Sequence, residues 1–581
     1  MLLRTAVVVR RVVVALVLSV FVGVTALAQT TPAWAVDSWS TPVDLSDDTQ
    51  DARGPQIVAA PNNTLTAIWY RSNGTKQVIQ TSTSSDAGAT WSAAVDLSDD
   101  TQNAYEPHIV AAPNNTLTAI WHRDNGTKDW VVQTRTSSDA GATWSAVVDL
   151  SDGTQSATLP RIVAAPNNTL TAIWERSNGT TAVIQTRTSN DAGATWSAVV
   201  DLSDDTQNAY EPQIVAAPNN TLTAIWHRDN GTKDWVVQTR TSSDAGATWS
   251  AVVDLSDGTQ SATLPRIVAA PNNTLTAIWE RSNGTKNVVQ TRTSSDAGAT
   301  WSAVVDLSDG TQSATLPRIV AAPNNTLTAI WYRFNGTTDV IQTRTSSDAG
   351  ATWSATVDLS DDTQNAYNPQ IVAAPNNTLT AIWDRREGTK DVIQTRTSSD
   401  AGATWSATVD LSDGTQSATL PRIVAAPNNT LTAIWYRFNG TTDVIQSSSL
   451  ASSSSASASA DPGVPGIFLA VNDVLVGSQV TGAPIYCGAD SIQPNSIYTL
   501  SIQSVTNSAL TRIILDSGSV NSRGHLDERV LLPEVNPGSY KIVMTGIHAS
   551  GNLLVLTNFI TIGANGGIVS VSPESQQPFL K

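Results

Sequence analysis

One position in a repeated phrase carries side chains that could bind an anion. The phrase I-V-A-A-P-N-N-T-L-T-A-I-W occurs eight times, and the residue before it varies between copies. In chain order that residue is Gln56, His108, Arg161, Gln213, Arg266, Arg318, Gln370 and Arg422. A planar guanidinium binds a carboxylate or sulfate through two parallel hydrogen bonds. If the phrase opens the innermost strand of a ring, these side chains face the mouth of the central channel and predict an anion site there.

Aromatic and ionisable side chains occupy two further variable positions. The residue after the last Trp of the phrase is Tyr70, His122, Glu175, His227, Glu280, Tyr332, Asp384 or Tyr436, and Tyr105, Tyr210 and Tyr367 lie shortly before the phrase. Aromatic rings offer flat, amphipathic surfaces on which a sugar can stack. The predicted ligand-binding residues are His108, Arg161, Arg266, Arg318, Arg422, Tyr70, Tyr105, Tyr210, His122, His227, Tyr332, Tyr367 and Tyr436. Packing of the same rings between neighbouring repeats is an open alternative.

A repeat of about 50 residues must position these side chains. The phrase recurs every 52 or 53 residues, together with a second phrase, W-S-x-x-V-D-L-S. Each unit has four short strand-like runs, such as I-V-A-A and V-I-Q-T-R-T-S, separated by Pro-Asn-Asn and Asn-Gly turns. This pattern predicts an all-β, eight-bladed propeller over residues 36–446. The last unit lacks its fourth strand, and the isolated W-S-T-P-V-D-L-S at Trp39 can supply it and close the ring.

The variable residues are predicted to share one face of the ring. The P-N-N-T turns and the S-S-D-A-G-A-T segments barely change between units, and both join strands at the same end of a blade, which we call the bottom. The connections at the opposite end, the top, differ from unit to unit. Exposed turns drift in any protein, but the bottom turns are exposed as well. The contrast therefore favours a functional top face.

Seven units carry S-x-D-x-G-x-T-W between their third and fourth strands. This motif resembles the Asp-box, or BNR repeat, of sialidases and related propellers, and the resemblance covers roughly residues 36–446. In the first box, Asp86 can accept turn N–H groups, Gly88 can adopt a positive φ, and Trp91 can pack between sheets. We therefore predict a structural role for the box carboxylates, which are Asp86, Asp139, Asp191, Asp244, Asp296, Asp348 and Asp400.

The resemblance also implies candidate functions. The P-R-I-V segments at Arg161, Arg266, Arg318 and Arg422 are similar to the R-I-P motif of sialidases, with Val in place of Pro. That family binds a carboxylate with three Arg and uses a Tyr nucleophile, a Glu and an Asp acid/base. Eight near-identical blades build no obvious single catalytic centre, so the leading hypothesis is a module that binds glycans or another extracellular partner. The alternatives are an exo-α-sialidase-like glycoside hydrolase and a structural display scaffold.

The N-terminus reads as an export signal over residues 1–35. A basic start with Arg4, Arg10 and Arg11 precedes an apolar run over 12–28 and two A-x-A sites. A membrane anchor is the alternative, but the run is short for a span. We therefore predict a secreted monomer without a stable membrane anchor.

Composition excludes several classes of partner. The formal charge of -17 argues against nucleic acid, and Cys487 has no partner for a disulfide within the chain. The five His residues form no ligand-spaced pair, so neither a metal nor a cofactor is expected.

The repeat ends at residue 446, and the composition changes there. Residues 447–465 are rich in Ser and Ala and predict a flexible linker. Short strand-like runs over 466–565 suggest a small β-sandwich whose turns resemble those of Ig-like modules on bacterial surface proteins. Residues 566–581 are predicted to form a C-terminal tail.

Overall fold

The computed structural model describes residues 38–127, 129–232 and 234–450, and the strands of a second, C-terminal unit. All regular elements in this part of the chain are β-strands. The signal segment predicted over 1–35 and residues 451–465 of the predicted linker lie outside it. Among the described residues, no helix is long and apolar enough to cross a membrane.

The repeat forms eight four-stranded antiparallel blades, as the sequence predicts. We number the blades along the chain and their strands from the inside outward. The first strands are Ala52–Ala59, Ala104–Ala111, Ala157–Ala164, Ala209–Ala216, Ala262–Ala269, Ala314–Ala321, Ala366–Ala373 and Ala418–Ala425. The second strands are Leu65–Ser72, Leu117–Asp124, Leu170–Ser177, Leu222–Asp229, Leu275–Ser282, Leu327–Phe334, Leu379–Glu387 and Leu431–Phe438.

The outer strands complete each blade. The third strands are Gln77–Ser84, Trp130–Ser137, Ala182–Ser189, Trp235–Ser242, Asn287–Ser294, Asp339–Ser346, Lys390–Ser398 and Asp443–Leu450. The fourth strands of blades 1 to 7 are Val95–Asp96, Val148–Asp149, Val200–Asp201, Val253–Asp254, Val305–Asp306, Val357–Asp358 and Val409–Asp410. Val43–Asp44, from the start of the described chain, is the fourth strand of blade 8.

The ring closes through this N-terminal strand. Val43 pairs with Ser447 and Asp44 with Gln446, and the Leu45 N–H donates to the carbonyl of Ile445 at 2.7 Å. The innermost strand of blade 8 contacts that of blade 1, just as the other neighbours contact one another. The predicted closure is therefore confirmed. Each innermost strand remains an edge of its own sheet, and closing the ring gives it a neighbouring blade on both sides.

The core lies between neighbouring blades. Trp121 of blade 2 is fully buried against Ile68, Ile79 and Leu97 of blade 1. Its indole N–H donates to Gln133 Oε1 at 3.2 Å, and the amide of Gln133 donates in turn to Asp149 at 2.8 Å. The Asp of the V-D-L-S phrase therefore completes a polar chain that satisfies a buried indole.

A closed chain of hydrogen bonds links the bottom turns around the ring. In each P-N-N-T turn, the second Asn accepts the backbone N–H of the first Asn of the preceding blade, as Asn115 does from Asn62 at 2.9 Å. Asn63 accepts from Asn428 at 2.9 Å and completes the circuit. The acceptor Asn residues have φ near +67°, a region that Asn tolerates well. The invariance of these turns thus has a structural cause, which removes one reason for placing function on the top face.

The last blade extends past the predicted boundary at residue 446. Its third strand, Asp443–Leu450, takes four residues from the predicted Ser/Ala linker. Ser447, Ser448 and Ser449 pair with Ile434, Ala433 and Thr432, where blades 2 to 7 place Thr, Arg and Thr. The predicted boundary at residue 446 is therefore wrong, and the blade ends at Leu450. A run of Ser is typical of a linker, but its small hydroxyl side chains also fit these strand positions.

The second unit contains two antiparallel sheets of three and five strands. Its strands are Ala470–Asn472, Pro484–Ala489, Ile497–Ser504, Ile513–Ser519, Leu526–Leu531, Gly538–Ile547, Leu553–Ile562 and Ile568–Val571. The last of them falls within the predicted tail. The Ig-like assignment stays a prediction.

Candidate ligand-binding site

A β-bulge in each innermost strand sets the depth of the predicted anion-binding residues. In blade 3 the strand begins at Ala157, and its register shifts between Thr158 and Arg161. Leu159 within the bulge has φ +50°, and Pro160 has no N–H to pair. Arg161 is therefore the fifth of eight strand residues and lies inside the channel. This corrects the prediction that its position opens the strand at the channel mouth.

The four Arg side chains converge in the channel from different blades. The guanidinium of Arg318 in blade 6 lies within electrostatic range of Arg266, Arg422 and Arg161. Burial, together with these like charges, lowers the pKa of Arg318 well below its ordinary value. Burial and neighbouring guanidiniums also lower the pKa of Arg266 and of Arg422 to about 10. Since Arg stays protonated at neutral pH, the channel holds four partly buried positive charges.

Few of the donors on these guanidiniums are used. Each Nη1 donates to the carbonyl of the preceding Pro, at 2.8 Å for Arg161, 2.8 Å for Arg266, 3.1 Å for Arg318 and 2.9 Å for Arg422. Among the described residues, no carboxylate lies within ion-pair distance of any of the four. A guanidinium has five N–H donors, so most remain for a ligand or for water.

Carboxylates divide the channel into two electrostatic sectors. Arg161 has Glu106, Glu211 and Glu175 within electrostatic range. Burial is the first cause that raises the pKa of each of these three carboxyls. Three guanidiniums affect the pKa of Arg318 more than Glu211 does, and Glu211 also acts on Arg266. The side of the channel formed by Arg266, Arg318 and Arg422 is therefore the more positive, and we call it the positive sector.

His108 shares the channel as a neutral group. Burial, and then Arg161 and Arg422, lower its pKa to about 3. Its Nδ1 has no hydrogen-bond partner within the described part of the chain. Near pH 7 it can therefore offer a ligand one donor and one acceptor but no charge.

The predicted aromatic residues form separate clusters. Tyr70 of blade 1 meets Tyr105 of blade 2 edge-on with ring centres 5.3 Å apart. Tyr332 of blade 6 meets Tyr367 of blade 7 in the same way at 5.4 Å. These two pairs join neighbouring blades, and a role of the same rings in ligand binding stays a prediction. Burial raises the pKa of the Tyr436 hydroxyl, and Asp443, Arg53 and Tyr70 lie close enough to affect it.

Blades 2 and 4 carry matching aromatic clusters that the sequence analysis missed. The ring centres of His122 and Trp130 are 4.9 Å apart, as are those of His227 and Trp235. Tyr105 and Tyr210 complete the two groups. The signal was present in the sequence, because Trp130 and Trp235 lie outside the two regular Trp series.

The position after the phrase Trp lies within the second strand, not in a loop as its variability suggested. In blade 7 this residue is Asp384, which pairs with Ile393 and is 3% exposed. Asn368 Nδ2 donates to its Oδ1 at 2.9 Å, and the Leu420 N–H donates at 3.4 Å. Burial nevertheless raises the pKa of Asp384 to about 6. The burial of this carboxyl could not be predicted from the sequence, because its partners come from two blades.

The Asp-boxes have the contacts of a structural turn. Asp139 accepts the Thr143 N–H at 2.9 Å, the Thr143 hydroxyl at 2.6 Å and the Ser137 hydroxyl at 2.8 Å. These hydrogen bonds, led by that of the Thr143 hydroxyl, lower the pKa of Asp139 to about 2. Gly141 has φ +84°, and Trp144 packs against the core between blades 1 and 2. The predicted roles of the box Asp, Gly and Trp in the turn are confirmed by these contacts.

A family model for a BNR repeat-like domain matches residues 25–221, 99–328 and 183–365 of the chain. Together these overlapping stretches span more than half of its length. The chain belongs to the BNR repeat-like family.

Solved structures similar to this BNR repeat-like protein are distant in sequence. A protein of unknown function from Dyadobacter fermentans is 12% identical, with a TM-score of 0.38, over 71% of this chain and 98% of that one. The NanB sialidase from Streptococcus pneumoniae is 11% identical, with a TM-score of 0.34, over 71% and 97%. The polysaccharide lyase Uly1 is 11% identical, with a TM-score of 0.42, over 59% and 89%. A comparison with curated proteins found no match. Similarity at this level does not indicate what the chain binds.

Among the described residues of this BNR repeat-like protein, every tyrosine pKa that shifts is raised. Burial raises the pKa of Tyr70, Tyr210, Tyr332 and Tyr436, and burial with the Asp339 carboxylate raises that of Tyr367 to about 12. A Tyr nucleophile requires a lowered pKa or an adjacent base, and Tyr367 has an adjacent carboxylate because its hydroxyl donates to Asp339 at 2.9 Å. Among the described residues, no group of three or more His, Cys, Asp or Glu side chains is placed to hold a metal ion.

A second Arg series at the end of the second strands stabilises the top loops. Arg123 donates to Asp99 at 2.7 Å and to Thr101 at 2.7 Å. Asp99 is therefore the carboxylate that binds Arg123 in this loop. The same pairing joins Arg333 to Asp309 in blade 6. These guanidiniums are paired with carboxylates, whereas the four in the channel are not.

Proposed function

We propose that this protein is a secreted binding module that holds an acidic glycan within its central channel. The observation that carries the proposal is the positive sector, where Arg266, Arg318 and Arg422 converge, are partly buried and have no ion-pair partner among the described residues. A charge removed from water is costly unless a counter-charge and hydrogen bonds compensate it. An anionic group on a ligand supplies both.

The chemistry of the channel favours a carboxylate or sulfate attached to a larger neutral body. Guanidinium forks bind either group through paired hydrogen bonds. In the same channel, Glu106 and Glu211 offer acceptors for hydroxyl groups, and the neutral His108 offers a donor and an acceptor. A saccharide that carries one anionic group and several hydroxyls matches both sectors. Secretion rests on the signal expected at residues 1–35.

Replacement of Arg318 by Gln is expected to weaken binding of acidic oligosaccharides by roughly 10- to 100-fold. The variant removes one charged hydrogen-bond donor group, whose contribution to affinity is about 1.5–3 kcal/mol. Isothermal titration calorimetry with 3′-sialyllactose, a chondroitin sulfate hexasaccharide and neutral chitohexaose measures the change. Wild-type protein should prefer the acidic probes, and their affinity should fall with added salt.

Arg333→Gln is the matched control, because Arg333 lies in the same blade but is paired with Asp309. This variant should retain wild-type affinity for the acidic probes. The proposal is rejected if no acidic probe binds the wild-type protein. It is equally rejected if Arg318→Gln binds the acidic probes as tightly as wild type does.

An exo-α-sialidase-like hydrolase is the second candidate, and one observation favours it. Asp384 has a pKa of about 6, which suits a general acid near neutral pH. Release of fluorophore from a methylumbelliferyl sialoside, lost in Asp384→Asn, would support hydrolysis. Wild-type protein that releases none would leave binding as the function.

A further inference from the structure

Blades 2 and 4 repeat a group of four side chains at their top ends. The group is Tyr105, Glu106, His122 and Trp130 in blade 2, and Tyr210, Glu211, His227 and Trp235 in blade 4. The same three strands of each blade supply its members, and blade 3 separates the two copies. We call these groups the twin clusters.

The two clusters have nearly the same geometry. In blade 2 the Tyr ring centre lies 5.8 Å from the Trp and 6.2 Å from the His. In blade 4 the corresponding distances are 5.7 Å and 6.2 Å. The Tyr and Trp rings are half-buried, so each cluster presents part of its aromatic surface to the solvent.

Each cluster also holds an unused polar group. His122 and His227 are each 7% exposed, and neither Nδ1 has a hydrogen-bond partner within the described part of the chain. Glu106 Oε2 lies 3.7 Å from the His122 Nδ1, and Glu211 Oε2 lies 3.8 Å from the His227 Nδ1. Both distances are too long for a direct hydrogen bond, but one hydroxyl oxygen could contact both atoms. Burial lowers the pKa of each His to about 4, so the imidazole is neutral near pH 7.

An aromatic wall beside a few convergent polar groups is the composition of a small-ligand site. A buried His nitrogen needs a hydrogen-bond partner, and a ligand hydroxyl or a water molecule can supply one at this position. We propose that each twin cluster is a subsite for one pyranose ring, whose face lies on Trp130 or Trp235 and whose hydroxyl meets the His–Glu pair. The inference extends the proposed glycan binding to two neutral-sugar subsites outside the positive sector.

The clusters differ in one neighbour, which provides an internal comparison. Tyr105 is covered on one side by Tyr70 of blade 1. In the equivalent place beside Tyr210, blade 3 carries Glu175. The two subsites should therefore bind the same class of sugar with different affinities.

The test uses the full chain labelled with 5-fluorotryptophan and observed by fluorine NMR. Trp130→Ala and Trp235→Ala each remove one resonance and so assign the two signals. Trp130→Ala places at this strand position the residue that blade 3 already has there, Ala182, so the variant is expected to fold. Asn287→Ala at the same position of blade 5 is the matched control.

Neutral hexasaccharides of glucose, xylose and N-acetylglucosamine are the probes. At least one should shift both assigned resonances saturably, while those of buried residues such as Trp121 stay unchanged. The double variant with Trp130→Ala and Trp235→Ala should also bind the acidic oligosaccharide probes roughly tenfold more weakly than wild type. The Asn287→Ala control should bind them as wild type does.

Arg318→Gln separates this inference from the proposed function. Because the neutral probes do not need the positive sector, both resonances should still shift in that variant. If no neutral probe moves them while acidic probes still require Arg318, the twin subsites are wrong and the anion site stands. If the neutral probes shift them and no acidic probe binds, the subsites stand alone.

Discussion

Replacing Gly298 with Ala should lower the free energy of unfolding by about 2–4 kcal/mol. This Asp-box glycine has φ +85°, and an added Cβ would lie 2.5 Å from Thr241 Cγ2 of blade 4. A positive φ costs a non-glycine residue about 1 kcal/mol or more. Overpacking against the β-branched Thr241, which is fixed in the neighbouring blade, adds about 1–3 kcal/mol. The box is thus a contact between blades as well as a turn.

Gly284→Ala is the matched control within the same blade. Gly284 has φ +94°, but no atom lies within 4 Å of an added Cβ. This variant should cost only about 1 kcal/mol, the backbone part of the penalty. Urea unfolding followed by Trp fluorescence compares the two, provided that the m-values agree. Equal losses in both variants would show that the contact with Thr241 contributes nothing.

The fold could be predicted from local signals that each repeat unit carries. The Trp spacing, the turn residues and the box lie within single blades, and their count gives the number of blades. The closure could be predicted because the isolated W-S-T-P-V-D-L-S at Trp39 is a fourth strand without a blade, and the last blade lacks a fourth strand. The bulge before Arg161 was missed, since a Pro after a variable residue also occurs in a turn. The Asn circuit was missed because its partners lie 53 residues apart in blades 1 and 2.

The site was predictable only in part, because its contacts also come from blades that are distant in the sequence. The channel Arg residues stood out because they vary within an otherwise constant phrase, and the structure brings Arg161, Arg266, Arg318 and Arg422 together. Whether a Tyr faces a ligand or another blade depends on the neighbour, as the pair of Tyr332 and Tyr367 shows. Charge distribution in the channel is likewise a property of several blades at once.

The buried carboxyl of Asp384 should make the protein less stable as the pH rises from 4 to 7. Its pKa is raised from 3.8 to about 6 by burial, so the folded state favours the protonated form. The stabilising contribution is fully present below the unfolded pKa and is lost as the pH rises through about 6. A shift of about two pH units corresponds to about 3 kcal/mol.

Asp384→Asn should remove most of that loss and be more stable than wild type at pH 7 by about 2–3 kcal/mol. An Asn Oδ1 can still accept from Asn368 and from the Leu420 N–H, so the neutral side chain retains the contacts of the acid. Urea unfolding at several pH values measures the difference. Glu387→Gln, an exposed carboxyl change in the same blade, should follow the wild-type curve. If the unfolding free energy of Asp384→Asn depends on pH as that of wild type does, another group causes the dependence. Asp384 would then no longer be supported as a general acid.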